Sequence, residues 1–162
     1  MEAPVDIDFR NSLGQTWRPL NDNVMGGISS GRIAWMPEGL HWTGATRLEN
    51  NGGFSSVRSQ WGQYNFEALE AVIIRCRGNG GQFKFTLECS ERWYIPYAFA
   101  PFTPGPDWTD IRLPLSDFKW SQAFTGDTRI DASLDNVLRM GLLKYDGQAQ
   151  PFELDVASIR FE

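Results

Sequence analysis

Hydrophobic and polar residues alternate with a period of two along most of this chain. Val5, Ile7 and Phe9 are separated by Asp6 and Asp8. Phe83, Phe85, Leu87 and Cys89 alternate with Lys84, Thr86 and Glu88. Phe152, Leu154 and Val156 alternate with Glu153 and Asp155. Val72, Ile74 and Cys76 form a similar row, with Arg75 and Arg77 on the other side. Successive side chains of a strand point to opposite faces, so each row predicts a strand buried on one face. Only 65–69 and 131–136 carry helix signals. Neither shows helical periodicity over the roughly 12 residues that a stable amphipathic helix requires.

Turn chemistry separates these rows. Asn51-Gly52, Asn79-Gly80 and Asp146-Gly147 are dipeptides that accept the positive φ of tight hairpin turns. Asn79-Gly80 is expected to join strands at about 71–77 and 82–89. Asp146-Gly147 is expected to join about 137–145 to 151–161. Many short strands with turns between them predict an all-β sandwich or barrel. The absence of long helices between strands argues against a parallel βαβ sheet. Internal repeats and low-complexity linkers are absent, and 162 residues suit one core. The expectation is a single domain over 1–162.

Composition adds aromatic weight. Seven Trp, eleven Phe and four Tyr accompany dispersed Gly and Pro, which fits short strands and tight turns. The net charge of −5 disfavours a phosphate backbone, so nucleic acid is not an expected partner. No apolar run approaches the ~20 residues of a membrane helix. The N-terminus lacks the pattern of a signal peptide, so the cytoplasm is the expected compartment.

Candidate chemistry is sparse. A hairpin at Asn79-Gly80 would put Cys76 and Cys89 roughly 20 Å apart along the ladder, too far for a disulfide. Both are expected as free, buried thiols. Gly27-Ile28-Ser29-Ser30-Gly31 matches a nucleophile elbow, but a strand-like run follows it where the elbow needs a helix. The only histidine, His41, lies twelve positions after Ser29. It is expected on an exposed sheet face, opposite in direction to Leu40 and Trp42. One histidine and two separated cysteines leave no Cys/His zinc site. Asp6, Asp8 and Glu49 could offer oxygens to calcium, but no loop has calcium spacing. No metal or cofactor is expected.

Two segments carry the most information. One is Trp17 through Ser29, containing Asn21-Asp22-Asn23-Val24-Met25-Gly26-Gly27. The other is Asn51-Gly52-Gly53-Phe54-Ser55-Ser56-Val57-Arg58. Asx turns and paired glycines predict shaped loops. If the loops meet, Asn21, Asp22, Met25, Gly26, Gly27, Asn51, Gly53, Phe54 and Arg58 would form or shape a binding surface. Arg58 would be its charged donor, suited to a carboxylate or phosphate. Within 93–102, Tyr94 and Phe99 are expected in the core together with Trp108, while Trp93 and Tyr97 are better placed for exposure. The same region offers a second reading, a sugar-stacking platform of Trp93, Tyr97 and Trp108.

The two segments resemble the signature of the complex I intermediate-associated protein 30 family. Arg77-Gly78-Asn79-Gly80, the run from Trp108 through Leu113-Pro114 to Phe118, and Pro151-Phe152-Glu153-Leu154 resemble its later motifs. The resemblance spans about 5–161 and is to a free-standing, bacterial-type member. It departs from the family where Gln82 and then Phe83 follow the Arg77–Gly80 turn. It implies a galactose-binding-like jelly roll without catalysis. It further implies a protein partner, such as a subunit or assembly intermediate of a respiratory NADH dehydrogenase. The expected function is thus that of a non-enzymatic, assembly-factor-like binding domain. A carbohydrate-binding module is the alternative. An enzyme using a carboxylate with Arg58 or Arg112 is the third reading.

Overall fold

A computed structural model describes residues 2–21, 29–48, 53–92, 97–122, 126–128 and 134–162. The alternating rows form strands that stack as two antiparallel sheets. The six-stranded sheet contains β1 (Ile7–Asp8), β3 (Ser30–Met36), β4 (Gly39–Ala45), β6 (Ala71–Asn79), β9 (Thr109–Pro114) and β13 (Pro151–Phe161). Its order is β3-β4-β13-β6-β9, with β1 added to β13. The seven-stranded sheet contains β2 (Arg18–Asn21), β5 (Ser55–Arg58), β7 (Phe83–Glu88), β8 (Tyr97–Phe102), β10 (Lys119–Gln122), β11 (Gly126–Thr128) and β12 (Arg139–Lys144). Its order is β11-β10-β8-β7-β12-β5-β2. The expected all-β galactose-binding-like jelly-roll sandwich is the fold observed.

The core lies where the apolar rows of both sheets meet. Phe83, Phe85 and Leu87 of β7 face Ile74 and Cys76 of β6 and Leu154 and Val156 of β13, all fully buried. Trp42 packs edge-on against Phe83 at 5.6 Å and Phe152 at 5.0 Å. The first expected row holds only in part. Phe9 is buried, but β1 is two residues long and Val5 is 80% exposed. The 65–69 segment forms one turn, as its signals allow, and 131–133 lie outside the described residues. Among the described residues, a 3-10 turn forms at Leu115–Asp117.

Both testable dipeptides join the expected strands with positive φ at Gly80 and Gly147, but neither closes a hairpin. Asn79-Gly80 joins β6 to β7, which belong to different sheets. Asp146-Gly147 joins β12 to β13, also in different sheets. Each turn passes over the end of the core instead of folding a strand back beside its neighbour. Gly80 has φ of +101° and lies against Phe152, where a Cβ would come within 2.7 Å. The two crossings are tied together. Lys144, fully buried, ion-pairs with Asp146 and reaches the Gln82 carbonyl at 3.4 Å. Gln150 Nε2 donates to the Gly80 carbonyl at 2.7 Å. A tight hairpin lies elsewhere, at Pro37-Glu38 between β3 and β4. Asn51-Gly52 lies outside the described residues.

Cys76 and Cys89 are both free, with Cys76 buried and Cys89 half-buried. The expected ladder between them does not exist, because their strands are in different sheets. Burial pushes the Cys76 thiol up to about 12 and the Cys89 thiol up to about 11. A raised folded pKa favours the neutral thiol, so this contribution is complete below the ordinary value of 9.0 and is lost above it. Stability is therefore expected to fall between about pH 9 and pH 12 in urea titrations. Native alkylation at pH 8 should be at least about 100-fold slower than in denaturant, by mass spectrometry.

Candidate functional site

The strand parts of the two signature segments pair directly. β2 and β5 run antiparallel, with Arg18 opposite Arg58, Leu20 opposite Ser56 and Asn21 opposite Ser55. Ser55 Oγ donates to Asn21 Oδ1 at 2.5 Å, and Asn21 Nδ2 donates to the Gly31 carbonyl at 3.0 Å. Asn21 thus ties the seven-stranded sheet to β3 of the other sheet. A Cβ on Gly31 would lie 2.0 Å from Ser55 Oγ, so only glycine fits that position. Trp42 Nε1 completes the network by donating to Ser55 Oγ at 3.3 Å. These residues shape the molecule from inside.

Arg58 points the other way, onto the outer face of the seven-stranded sheet. Its neighbours in the ladder are Gly141 and Thr86, then Glu88, Arg139 and Tyr97 one pleat along. Glu88 accepts from both arginines. Arg58 Nη1 lies 3.2 Å from Oε1, Arg139 Nη2 lies 2.9 Å from Oε1, and Arg139 Nε lies 2.7 Å from Oε2. Arg58 Nε also donates to Ser56 Oγ at 3.1 Å. Burial lowers the Arg58 pKa, Glu88 raises it, and Arg139 lowers it again. One carboxylate serves two guanidinium groups, so the cluster keeps an excess positive charge.

Aromatic groups flank this face. The Arg139 guanidinium stacks 3.8 Å from the ring centre of Trp61, which is itself 47% exposed. At the opposite end, Tyr145 and Leu48 are exposed beside Gly53. Lys84 lies over the rings of both Tyr145 and Phe99. The face therefore combines a charged, hydrogen-bonded centre with exposed aromatic ends.

The sequence-derived residues divide among several places. Arg58, Tyr97 and Gly53 belong to this face or its end, and Phe54 is half-buried just before β5. Asn21 lies inside, between the sheets. Asp22, Met25, Gly26, Gly27, Asn51 and Trp93 lie outside the described residues, as do Tyr94 and Glu49. Trp108 stacks with Arg77, on the outer side of the six-stranded sheet. Tyr97 and Trp108 therefore stand on opposite faces of the sandwich and share no platform. The core placement of Trp108 is corrected, and Phe99 is buried as expected but not between the sheets. Phe99 is buried on the outer side of β8, and Trp108 is half-buried against Arg77.

Other sequence candidates have structural partners. Ser29 Oγ accepts from the Arg47 amide and donates to its carbonyl, and a strand, β3, begins at Ser30 where a nucleophile elbow needs a helix. Asp8 pairs with Arg10, which lowers its pKa, and Asp6 accepts from the Phe161 amide. Arg112 pairs with Glu162 on the sheet opposite Arg58. His41 is only half-exposed, and its Nδ1 lies 2.5 Å from Asp155 Oδ1. Sequence reasoning missed Glu88, Arg139 and Trp61. Glu88 was legible as an outward position, but its partners lie 30 and 51 residues away in sequence.

A two-layer jelly roll with its polar clusters on the outer sheet faces defines the chain as a β-sandwich module of the galactose-binding-like class. The family profile described as complex I intermediate-associated protein 30 matches residues 7–156. The chain belongs to that family. No curated protein sequence matches it. Solved structures confirm the fold. A family 11 carbohydrate-binding module of a cellulosomal cellulase from Clostridium thermocellum is 15% identical, with a TM-score of 0.63 over 94% of this chain and 90% of that one. The family 11 module from the same organism in complex with a β-1,3-1,4-mixed-linked tetrasaccharide is 15% identical, with a TM-score of 0.62 over 98% and 97%. No helix among the described residues is long and apolar enough to cross a membrane.

Two substitutions separate the inner network from the outer one. Asn21→Ala leaves the Ser55 hydroxyl and the Gly31 carbonyl short of partners and is expected to cost about 2 kcal/mol. Glu88→Ala leaves two adjacent guanidinium groups unpaired and is expected to cost about 2 kcal/mol as well, lessened in high salt. Urea unfolding at low and high salt checks both, and only the Glu88 effect should depend on salt.

Proposed function

We propose that this chain is a non-enzymatic binding domain that docks a protein partner on the outer face of its seven-stranded sheet. The observation that carries this reading is the Arg58–Glu88–Arg139 cluster with Trp61 stacked on it. Arg, Trp and Tyr dominate the energetics of protein interfaces, because they offer large area and directional bonds together. Here the arginines are held in place before any partner arrives, so less side-chain entropy is lost on docking. Family membership supports a partner among respiratory NADH dehydrogenase subunits or their assembly intermediates. Asn21 and Ser55 contribute by fixing β2 and β5, and Gly53 and Tyr97 by their position at the face.

The carbohydrate reading keeps one observation in its favour. Trp61 and Tyr145 are both about half exposed on the same sheet side, and exposed aromatic rings suit sugar stacking. An enzymatic reading has less support. The one histidine is on the opposite sheet from Arg58, and Arg58 and Arg139 are engaged by Glu88.

Trp61→Ser tests the docking face, and Met36→Ser is its control. Both residues are similarly exposed, at 47% and 45%, but Met36 lies at the end of β3 on the other sheet. Trp61→Ser is expected to weaken saturable capture of respiratory-complex subunits at least about tenfold, about 1.4 kcal/mol. Its melting temperature should stay near that of the parent. Met36→Ser should bind as the parent does. Equal binding by both variants would remove this face from consideration, and saturable glycan-array binding that Trp61→Ser abolishes would replace protein with carbohydrate.

A further inference from the structure

On the opposite sheet, a second polar cluster has the composition of a metal site. β4 and β13 pair so that His41 stands directly opposite Asp155. Glu153 lies two residues away from Asp155 on the same strand, and therefore on the same face. His41 Nδ1 is 2.5 Å from Asp155 Oδ1 and 3.9 Å from Glu153 Oε1. One ligand atom from each of the three residues lies within 4.8 Å of the others. Among the described residues this is the only such group.

Two carboxylates converge on one imidazole nitrogen. That nitrogen can donate a single proton, so it can satisfy only one of them. A lone pair on Nδ1 would repel both. A cation between the three groups would balance both carboxylates, beyond the charge that Arg77 supplies to the other oxygen of Asp155. We propose that His41, Asp155 and Glu153 bind a first-row divalent cation of the Zn²⁺ type, with the remaining coordination position open to solvent. One nitrogen and two carboxylate oxygens match the ligand preference of Zn²⁺, whereas Ca²⁺ takes six or more oxygens. Bond lengths of about 2.0–2.1 Å in a tetrahedral site place ligand atoms about 3.3 Å apart. The two distances from His41, 2.5 and 3.9 Å, lie on either side of that spacing, and no two of the ligand atoms are more than 4.8 Å apart, so side-chain rotations would close the site.

The surroundings supply what metal ligands ordinarily have behind them. Arg77 Nε donates to Asp155 Oδ2 at 2.9 Å, which leaves Oδ1 directed at His41. Trp108 stacks on the Arg77 guanidinium at 4.8 Å and holds it there. Hydrogen-bonded carboxylates of this kind orient metal ligands and tune affinity. The side chains of His41, Glu153 and Asp155 are 32%, 47% and 14% exposed, so an ion can enter from solvent without unfolding.

The chain has one histidine, so one imidazole signal reports the site. The test is a ZnCl₂ titration of the full chain without a histidine tag, followed through the His41 ring nitrogens by NMR. Saturable shifts at submillimolar Zn²⁺ are expected, with CaCl₂ producing none. Glu153→Gln is expected to weaken binding at least about tenfold, a loss that even outer partners of metal ligands can cause. Glu153 is half exposed, so its variant should keep the parent circular dichroism spectrum. Asp155→Asn should weaken binding likewise. If it unfolds the domain, Glu153→Gln alone decides. Absence of a shift, or a shift unchanged by Glu153→Gln, would overturn the proposal. Neither result bears on the opposite face, where Trp61 is the probe.

Discussion

Trp42 joins the two layers of this molecule, and the position of every surface cluster depends on that joint. Its ring fills the space between Phe83 of one sheet and Phe152 of the other. Its indole N–H would be a buried orphan without Ser55, because an unmet polar group in the core costs most of what burial gains. Ser55 passes the connection to Asn21, and Asn21 returns it to Gly31 on the first sheet. A packing contact and a polar thread thus fix the same interface. Neither sheet can slide against the other without breaking both.

That joint sets the outward residues as firmly as the inward ones. On β5, Ser55 and Val57 face the core, so Ser56 and Arg58 must face out. The same parity on β7 and β12 sends Glu88 and Arg139 to the outer side, where they meet Arg58. On the other sheet, Leu154 and Val156 face in, and Glu153 and Asp155 face out toward His41. Two polar clusters on opposite faces are therefore a consequence of one packed core. They differ in chemistry. The Arg58 cluster is cationic and flanked by exposed aromatics, which suits a large partner. The His41 cluster is acidic and compact, which suits an ion.

The buried Lys144–Asp146 pair performs a related task at the end of the sandwich. It links the β12–β13 crossing to Gln82 at the base of the β6–β7 crossing. A buried ion pair adds little net stability against an apolar replacement, but removing one partner strands the other. Its role here is to hold two inter-sheet turns against each other, together with Gln150. The resulting arrangement keeps β12 and β13 in separate sheets although only six residues separate them.

Strand identity was legible along the chain because alternation reports directly which residues leave water. The rows at 72–76, 83–87 and 152–156 formed strands with the expected faces inward. The resemblance of the two signature segments also led to the right fold and family. The pairing of those strands was not legible. Asn79-Gly80 and Asp146-Gly147 announce positive φ, and that requirement is the same for a hairpin and for a crossing between sheets. Which one forms depends on partners distant in sequence, such as β4 and β9 competing for places beside β13 and β6. The site followed the same division. Arg58 could be picked out as an outward charge, whereas Glu88, Arg139 and the His41–Asp155 contact needed strands brought together from far apart. Local periodicity depends on the burial of each residue. Pairing and clustering depend on loop closure and on competition among all strands for the same edges, which only the assembled sandwich decides.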